Sequence, residues 1–253
     1  MNTITPQQLF SDYKDILAKD TTGLVKLKVT IKKLNELFKR AEEKNSEKLY
    51  KIVASPIIGL DDNKEISDKE AFDTFVSHRQ RTTEYLANKD GVMFDKLTLA
   101  DMLIKDFTNA FELDKKLLVR LVAIDRMLND KVDNMNDLYF QPAGRLITEL
   151  NQSVNDWNFW VTLLDRRIRN SASHLDFYYD EKTSQFKGKE TITVTNHGHK
   201  LKRINCFLIS PKKFLNEILP NAINAAQSFW AAGILLCLEP HSEYYDQALE
   251  MLN

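Results

Sequence analysis

The sequence predicts a mainly α-helical protein, a multi-helix bundle that carries a small antiparallel β insert. Three observations predict it. Apolar residues recur at three- and four-residue steps along most of the chain, helix-starting and helix-ending residues bracket those stretches, and the segment 175–209 switches to β-branched and aromatic residues. With 43% apolar and 28% charged residues, but only seven glycines and six prolines among 253, the composition is that of a folded helical chain and not a disordered one.

Taken in order, Thr5 followed by Pro6 marks a helix start, and the helix runs to about Lys19. Beyond Gly23, Leu24, Leu27, Ile31, Leu34 and Phe38 lie along one face of a second helix, expected to break near Asn45 and end by Val53. Ser55-Pro56 to Lys64 reads as a loop. Ser67 and Glu70 have the spacing of a capping box, so a third helix starts there, with Phe72, Phe75, Val76 and Leu86 on it and Asp90-Gly91 ending it. Thr98 caps a fourth, with Leu99, Met102, Leu103, Phe107 and Phe111 inward, and a fifth covers Leu113 to Leu128.

The polar stretch Asn129 to Asp137 is the best candidate boundary, giving an N-terminal helical region over 1–135 and a second region over 136–253, or one continuous domain. After it, Ile147, Leu150, Val154, Trp157, Val161, Leu164 and Ile168 alternate steps of three and four. That heptad-like seam predicts one long helix in a bundle core or against a two-fold mate, with Trp160 beside the seam. Leu175–Tyr179, Thr191–Thr195 and Ile204–Ile209 are expected as two or three short antiparallel strands, with Gly188 and Gly198 in the loops between them. Ser210-Pro211 reopens a helix with Phe214, Leu215, Ile218, Ile223, Phe229, Trp230, Ile234 and Cys237 buried, which Pro220 should kink or break. A short helix over about Ser242–Leu252 closes the chain.

A formal net charge of −1 provides no global field for nucleic acid, so any RNA affinity must come from a local patch or a dimer surface. Cys206 and Cys237 have no zinc-like spacing and are expected as free thiols in a reducing cytoplasm. The first twenty residues lack the pattern of a signal peptide, and the longest apolar run, Ala225–Leu238, falls short of a bilayer span, so no membrane partner is expected.

The chemistry concentrates in Arg169-Asn170-Ser171-Ala172-Ser173-His174, just after Arg166 and Arg167. Cutting RNA by attack of its own 2′-hydroxyl needs a base for that proton, positive charge for the phosphorane and an acid for the leaving 5′-oxygen. An imidazole serves as base or acid near neutrality, and a guanidinium stays charged and grips two phosphate oxygens. In that scheme His174 is the acid or base, Arg169 the phosphate ligand and Asn170 the orienting amide. Arg166 and Arg167 add positive potential. On a straight helix Arg169 and His174 would sit about 140° apart. Either the helix breaks between them, or two chains share the site and pool two arginines and two histidines.

This segment resembles the motif of the HEPN ribonuclease superfamily, an arginine followed after four to six residues by a histidine, with a polar residue often directly after the arginine. Arg169 and His174 fit with four residues between, and Asn170 takes the polar place; Arg167 fits with six. Given the chain's ten arginines and five histidines, chance would place an arginine at the shorter spacing about 0.2 times, and with the asparagine about 0.01 times. Over roughly 140–238 the resemblance implies a helical bundle, a metal-independent endoribonuclease active as a homodimer without a cofactor, and a place in prokaryotic phage defence or a toxin-antitoxin system. An antitoxin or phage-derived trigger protein would then be a partner. Where members paired with a nucleotidyltransferase carry a tyrosine two residues after the histidine, this chain has Asp176. Two other readings stay open: a catalytically silent module that binds RNA or protein, and an ordinary helix ending in which basic residues complement the dipole.

Elsewhere, His197-Gly198-His199 reads as a solvated hairpin turn and not a metal site, because no carboxylate or thiolate set accompanies it. Its neighbours Lys200, Lys202 and Arg203 could touch RNA phosphates. His78-Arg79-Gln80-Arg81 reads as a solvated helix face, and His241 as a surface residue. No Gly-rich phosphate loop, Gly-x-Ser-x-Gly turn or His-Glu-x-x-His pair occurs, which argues against nucleotide hydrolases, serine esterases and metallonucleases.

Overall fold

The structure, a computed structural model, describes residues 4–18, 23–59, 68–87, 95–131, 134–196 and 199–253. Helix α1 (Pro6–Ala18) starts as its sequence requires, with the Thr5 hydroxyl accepting from the Gln8 amide at 3.2 Å. Helix α2 (Leu24–Leu49) bends at Asn45, whose backbone is extended (φ −162°, ψ 92°). The Asn45 amide oxygen accepts from Lys48 N at 3.0 Å and so restarts the helix as an internal cap. A π turn (50–54) then runs directly into α3 (Ser55–Ile57). Ser55-Pro56 is therefore helical and not the start of a loop, because a proline is tolerated in a helix's first turn.

Helix α4 (Asp68–Ala87) begins at the edge of the described residues; Ser67 and Asp90-Gly91 lie outside them. Helix α5 (Lys96–Leu128) is one helix of 33 residues where two were expected, since neither glycine nor proline interrupts it. Its cap is Asp95, not Thr98. The Asp95 carboxylate accepts from the amides of Leu97 and Thr98 and from the Thr98 hydroxyl.

The largest departure concerns the heptad-like seam. In place of one long helix the chain forms α6 (Met135–Tyr139), α7 (Ala143–Asn151), α8 (Asn158–Val161) and α9 (Arg166–Ser173). The cause lies on α5, where Asp125 is buried and needs donors. It accepts from Trp157 Nε1 at 2.7 Å, Asn155 Nδ2 at 2.9 Å and the Ser153 hydroxyl, gathering three residues that one helix would point in different directions. Asp156 takes a positive φ of 48° between them, and Val154 is 87% exposed although it holds a seam position. A bidentate pair, Arg126 to Glu149 at 2.6 and 3.0 Å, fixes α7 against α5.

The β insert is a three-stranded antiparallel sheet of β1 (Phe177–Asp180), β2 (Gln185–Asn196) and β3 (His199–Ile209), in that spatial order. Gly188 lies inside β2, not in a loop: it pairs with Phe207, and a Cβ there would sit 2.2 Å from the Phe207 ring. Gly198 falls outside the described residues. Because β1 pairs only with Gln185–Gly188, the rest of β2 and β3 continue as a two-stranded arm.

Ser210 caps α10 (Pro211–Lys213), which passes through a π turn (214–218) into α11 (Leu219–Leu238). Pro220 does not break this helix, because the wider π turn ahead of it makes room for the ring. Helix α11 is buried nearly all round and packs against α1, α2 and α5, so one core joins both ends of the chain. The segment Pro211–Leu238 is long and apolar enough to cross a membrane, yet 89% of its most apolar window is buried inside the protein. Helix α12 (Ser242–Glu250) covers α1 and α11.

Candidate functional site

Helix α9 carries the predicted site, and its placement is built from both ends. Asp165 caps its start by accepting from Arg167 N at 3.0 Å. The fully buried Ser171 donates to the Lys189 carbonyl of β2 at 2.6 Å, fastening the middle of α9 to the sheet. At the far end Asp176 N reaches the Ser171 carbonyl (2.8 Å) and Leu175 N the Ala172 carbonyl (3.1 Å). This is a Schellman turn in which Leu175, not glycine, takes the left-handed position at φ 59°. Leu175 is 91% exposed, and His174 beside it ends the helix as an exposed cap residue.

The structure brings together some of the predicted residues and separates others. Arg166, Arg167 and Asn170 border a cleft of about 390 Å³ whose opposite wall carries Glu190 and Ile192 of β2. Arg166 lies across Gly144 of α7, where an added Cβ would fall 2.4 Å from its guanidinium. Arg167 is held bidentately by Asp165 at 3.2 and 2.7 Å and sits 5.5 Å from the Phe207 ring centre. Its hydrogen bond to Asp165 raises the guanidinium's already high pKa.

Arg169 is on another side of α9. Its Nε donates to Glu112 Oε1 of α5 at 2.8 Å, and neither Arg169 nor His174 lines the cleft. One chain therefore places its arginines on two separate surfaces around α9, each with carboxylates beside them, and not in one converged trio. Of the arm residues, Arg203 pairs with Ile192 and so shares the sheet face that borders the cleft, whereas Lys202 and Lys200 pair with Thr193 and Thr195 on the opposite face. His197 lies outside the described residues; His241 is exposed.

Sequence reasoning missed three features. Glu112, the partner of Arg169, is 57 residues away. Ser171, inside the motif, is a buried anchor and not a solvent-facing helix ending. His78 and Arg79 are only partly exposed, at 28% and 29%: both turn to the fully buried Asp106 of α5, with His78 Nδ1 at 3.7 Å and an Arg79 nitrogen at 3.9 Å. Burial pushes the Asp106 carboxyl up, while bonds and charge from Thr82, Arg79 and His78 pull it back. Both cysteines are free, Cys206 exposed and Cys237 buried; burial pushes the Cys237 thiol up to about 12.

No family model matches the chain, and no curated protein or solved structure matches it.

Proposed function

We propose that α9 and its C-terminal turn form one half of a metal-independent endoribonuclease site of the HEPN type, completed by a second copy of the chain. The observation that carries this reading is the position of His174, exposed on the terminal turn of a helix that also presents Arg166, Arg167 and Arg169. An exposed imidazole can act on a substrate bound from outside, and the neighbouring guanidinium groups can hold the scissile phosphate and the charge that develops on it. Since Arg169 leaves α9 toward α5, a two-fold contact at this surface is the arrangement that supplies acid, base and phosphate ligands together. A role in phage defence or as a toxin, with an antitoxin or trigger protein as partner, accompanies this proposal.

The test uses purified protein and mixed cellular RNA in excess chelator. Wild-type protein is expected to cut, His174→Ala to lose about 10²- to 10⁴-fold in rate, and a mixture of His174→Ala with Arg169→Ala to regain part of the activity through heterodimers. Cleavage that persists unchanged in His174→Ala would sink the proposal.

One observation favours a second reading. The ion pair with Glu112 already engages Arg169, as the pair with Asp165 engages Arg167, which suits a catalytically silent module that binds RNA or protein without cutting. Wild-type protein that retains RNA at low salt without cutting it would support this alternative.

A further inference from the structure

The hairpin of β2 and β3 concentrates positive charge on one face. Between Lys187 and Leu208 the chain has five cationic residues and one carboxylate, although the whole chain carries a net −1. That carboxylate, Glu190, is on the α9 side of the sheet and accepts from Asn205 Nδ2 at 3.1 Å. The register puts Lys187, Lys189, Lys200 and Lys202 together on the opposite, outward face. Among the described residues only Lys187 of these four is ion-paired, to Asp180.

This outward face has two lanes. Along β2, Lys187 and Lys189 are followed by the exposed Thr191 and Thr193, with Lys202 beside Thr193 and Lys200 one step beyond. Alternate residues of a strand stand about 6.8 Å apart, close to the interval between successive phosphates of an extended nucleic-acid strand. From Lys187 to the level of Lys200 the lane measures about 27 Å, room for about four phosphates. Along β3, Ile204, Cys206 and Leu208 form an apolar lane opposite Thr191, Lys189 and Lys187, with Ile204 72% and Leu208 64% exposed. Tyr178 of β1, 48% exposed, flanks Lys187 on its other side.

A cationic lane beside an apolar one matches a strand whose phosphates and unpaired base faces lie side by side. A duplex hides those base faces and would set the apolar lane against sugar and phosphate.

We infer that the outward face of β2 and β3 binds a single strand of RNA, its phosphates along Lys187, Lys189 and Lys202 and its bases over Ile204, Leu208 and Tyr178. The choice of RNA over DNA rests on the proposed function. The face lies across the sheet from the α9 cleft and holds the strand apart from the residues assigned to cleavage.

The experiment is fluorescence anisotropy of the full chain with a labelled 2′-O-methyl RNA of about ten nucleotides, which lacks the attacking 2′-hydroxyl and is not cut. The single strand is expected to bind saturably at low salt, and the same sequence as a duplex at least about tenfold more weakly. Lys189→Gln combined with Lys202→Gln should weaken binding about tenfold and flatten the log-log salt slope by about 1.4, since each phosphate contact on a single strand contributes about 0.7. Ile204→Ser combined with Leu208→Ser should weaken it about tenfold with the slope unchanged. All four side chains are exposed, so both variants should keep the wild-type circular dichroism spectrum. Absence of saturable binding overturns the inference, as does equal affinity for strand and duplex or affinity unchanged in the two double variants. Binding to phosphatidylserine vesicles that excess probe fails to displace would also overturn it, and a DNA strand held more tightly than the RNA would overturn the choice of RNA. Wild-type protein that binds the probe through these residues yet cuts no RNA would sink the α9 proposal and leave this one standing.

Discussion

Arg169 Nε donates to Glu112 Oε1 at 2.8 Å, so the arginine expected to meet RNA is held by a carboxylate of a different helix. The side chains are 30% and 53% exposed. A pair so placed contributes about 0–1 kcal/mol, whereas a phosphate offers the same guanidinium two charged oxygens. The pair is therefore a weak competitor that substrate can displace. Glu112→Gln is expected to raise the cleavage rate at low RNA concentration by up to about fivefold, the factor that corresponds to about 1 kcal/mol. Arg169→Ala should lower it by about 10²-fold or more. A Glu112→Gln protein slower than wild type would show that Glu112 positions Arg169 for catalysis instead of competing for it.

Leu175 holds a left-handed backbone at φ 59° in the Schellman turn that ends α9. A branched residue pays about 1–2 kcal/mol there, part of which glycine would return through the greater freedom of its unfolded chain. Leu175→Gly should thus stabilise the protein by about 0.5–1 kcal/mol, a rise in Tm of about 1–4 °C for a chain of this size. Leu175→Val should act in the opposite direction, since β-branching aggravates the clash. Thermal unfolding followed by circular dichroism checks both.

Much of the fold was legible because its signals are local. Thr5 and Ser210 cap the helices they precede, Asn45 bends the helix it interrupts, and the change to β-branched and aromatic residues after His174 marks the sheet. The seam from Ile147 to Ile168 misled for a physical reason. Several short helices that each turn apolar residues toward one core reproduce the three-and-four spacing of a single helix, and the residue that divides them, Asp125, is 28 residues before Ser153. The site followed the same rule. Arg166, Arg167, Arg169 and His174 stand out in sequence, but Asp165 holds Arg167, Glu112 holds Arg169 and the carbonyl of Lys189 anchors α9 through Ser171, and the last two lie far along the chain.

Asp125 should be the most sensitive polar position of the core. It alone accepts from Trp157 Nε1, and it also receives Asn155 Nδ2 and the Ser153 hydroxyl. Asp125→Ala leaves a buried indole N–H without a partner and removes the group that shapes the turn leading to α8 and α9. The expected cost is about 3 kcal/mol or more, read as a fall in the urea midpoint with little change in slope. Asp125→Asn keeps one acceptor oxygen and should cost less. Equal midpoints for wild type and Asp125→Ala would show that the turn forms without this carboxylate.

Asp114 gives a pH-dependent prediction with a definite sign. It is completely buried on α5, neither carboxyl oxygen has a hydrogen-bond partner among the described residues, and burial raises its pKa well above the usual carboxylate range. A folded-state pKa above the unfolded value means that the folded chain binds the proton more tightly. The resulting stability is fully present below the unfolded value of about 3.9 and is lost as pH rises through the folded value. Asparagine has the same shape and no proton to lose. Asp114→Asn should therefore melt at a temperature close to wild type near pH 4 and above it near pH 7, the difference growing steadily between. Melting curves of the two proteins across that range measure it directly. A difference that shrinks as pH rises would require the carboxylate to be stabilised in its charged form, and would place a cation beside Asp114.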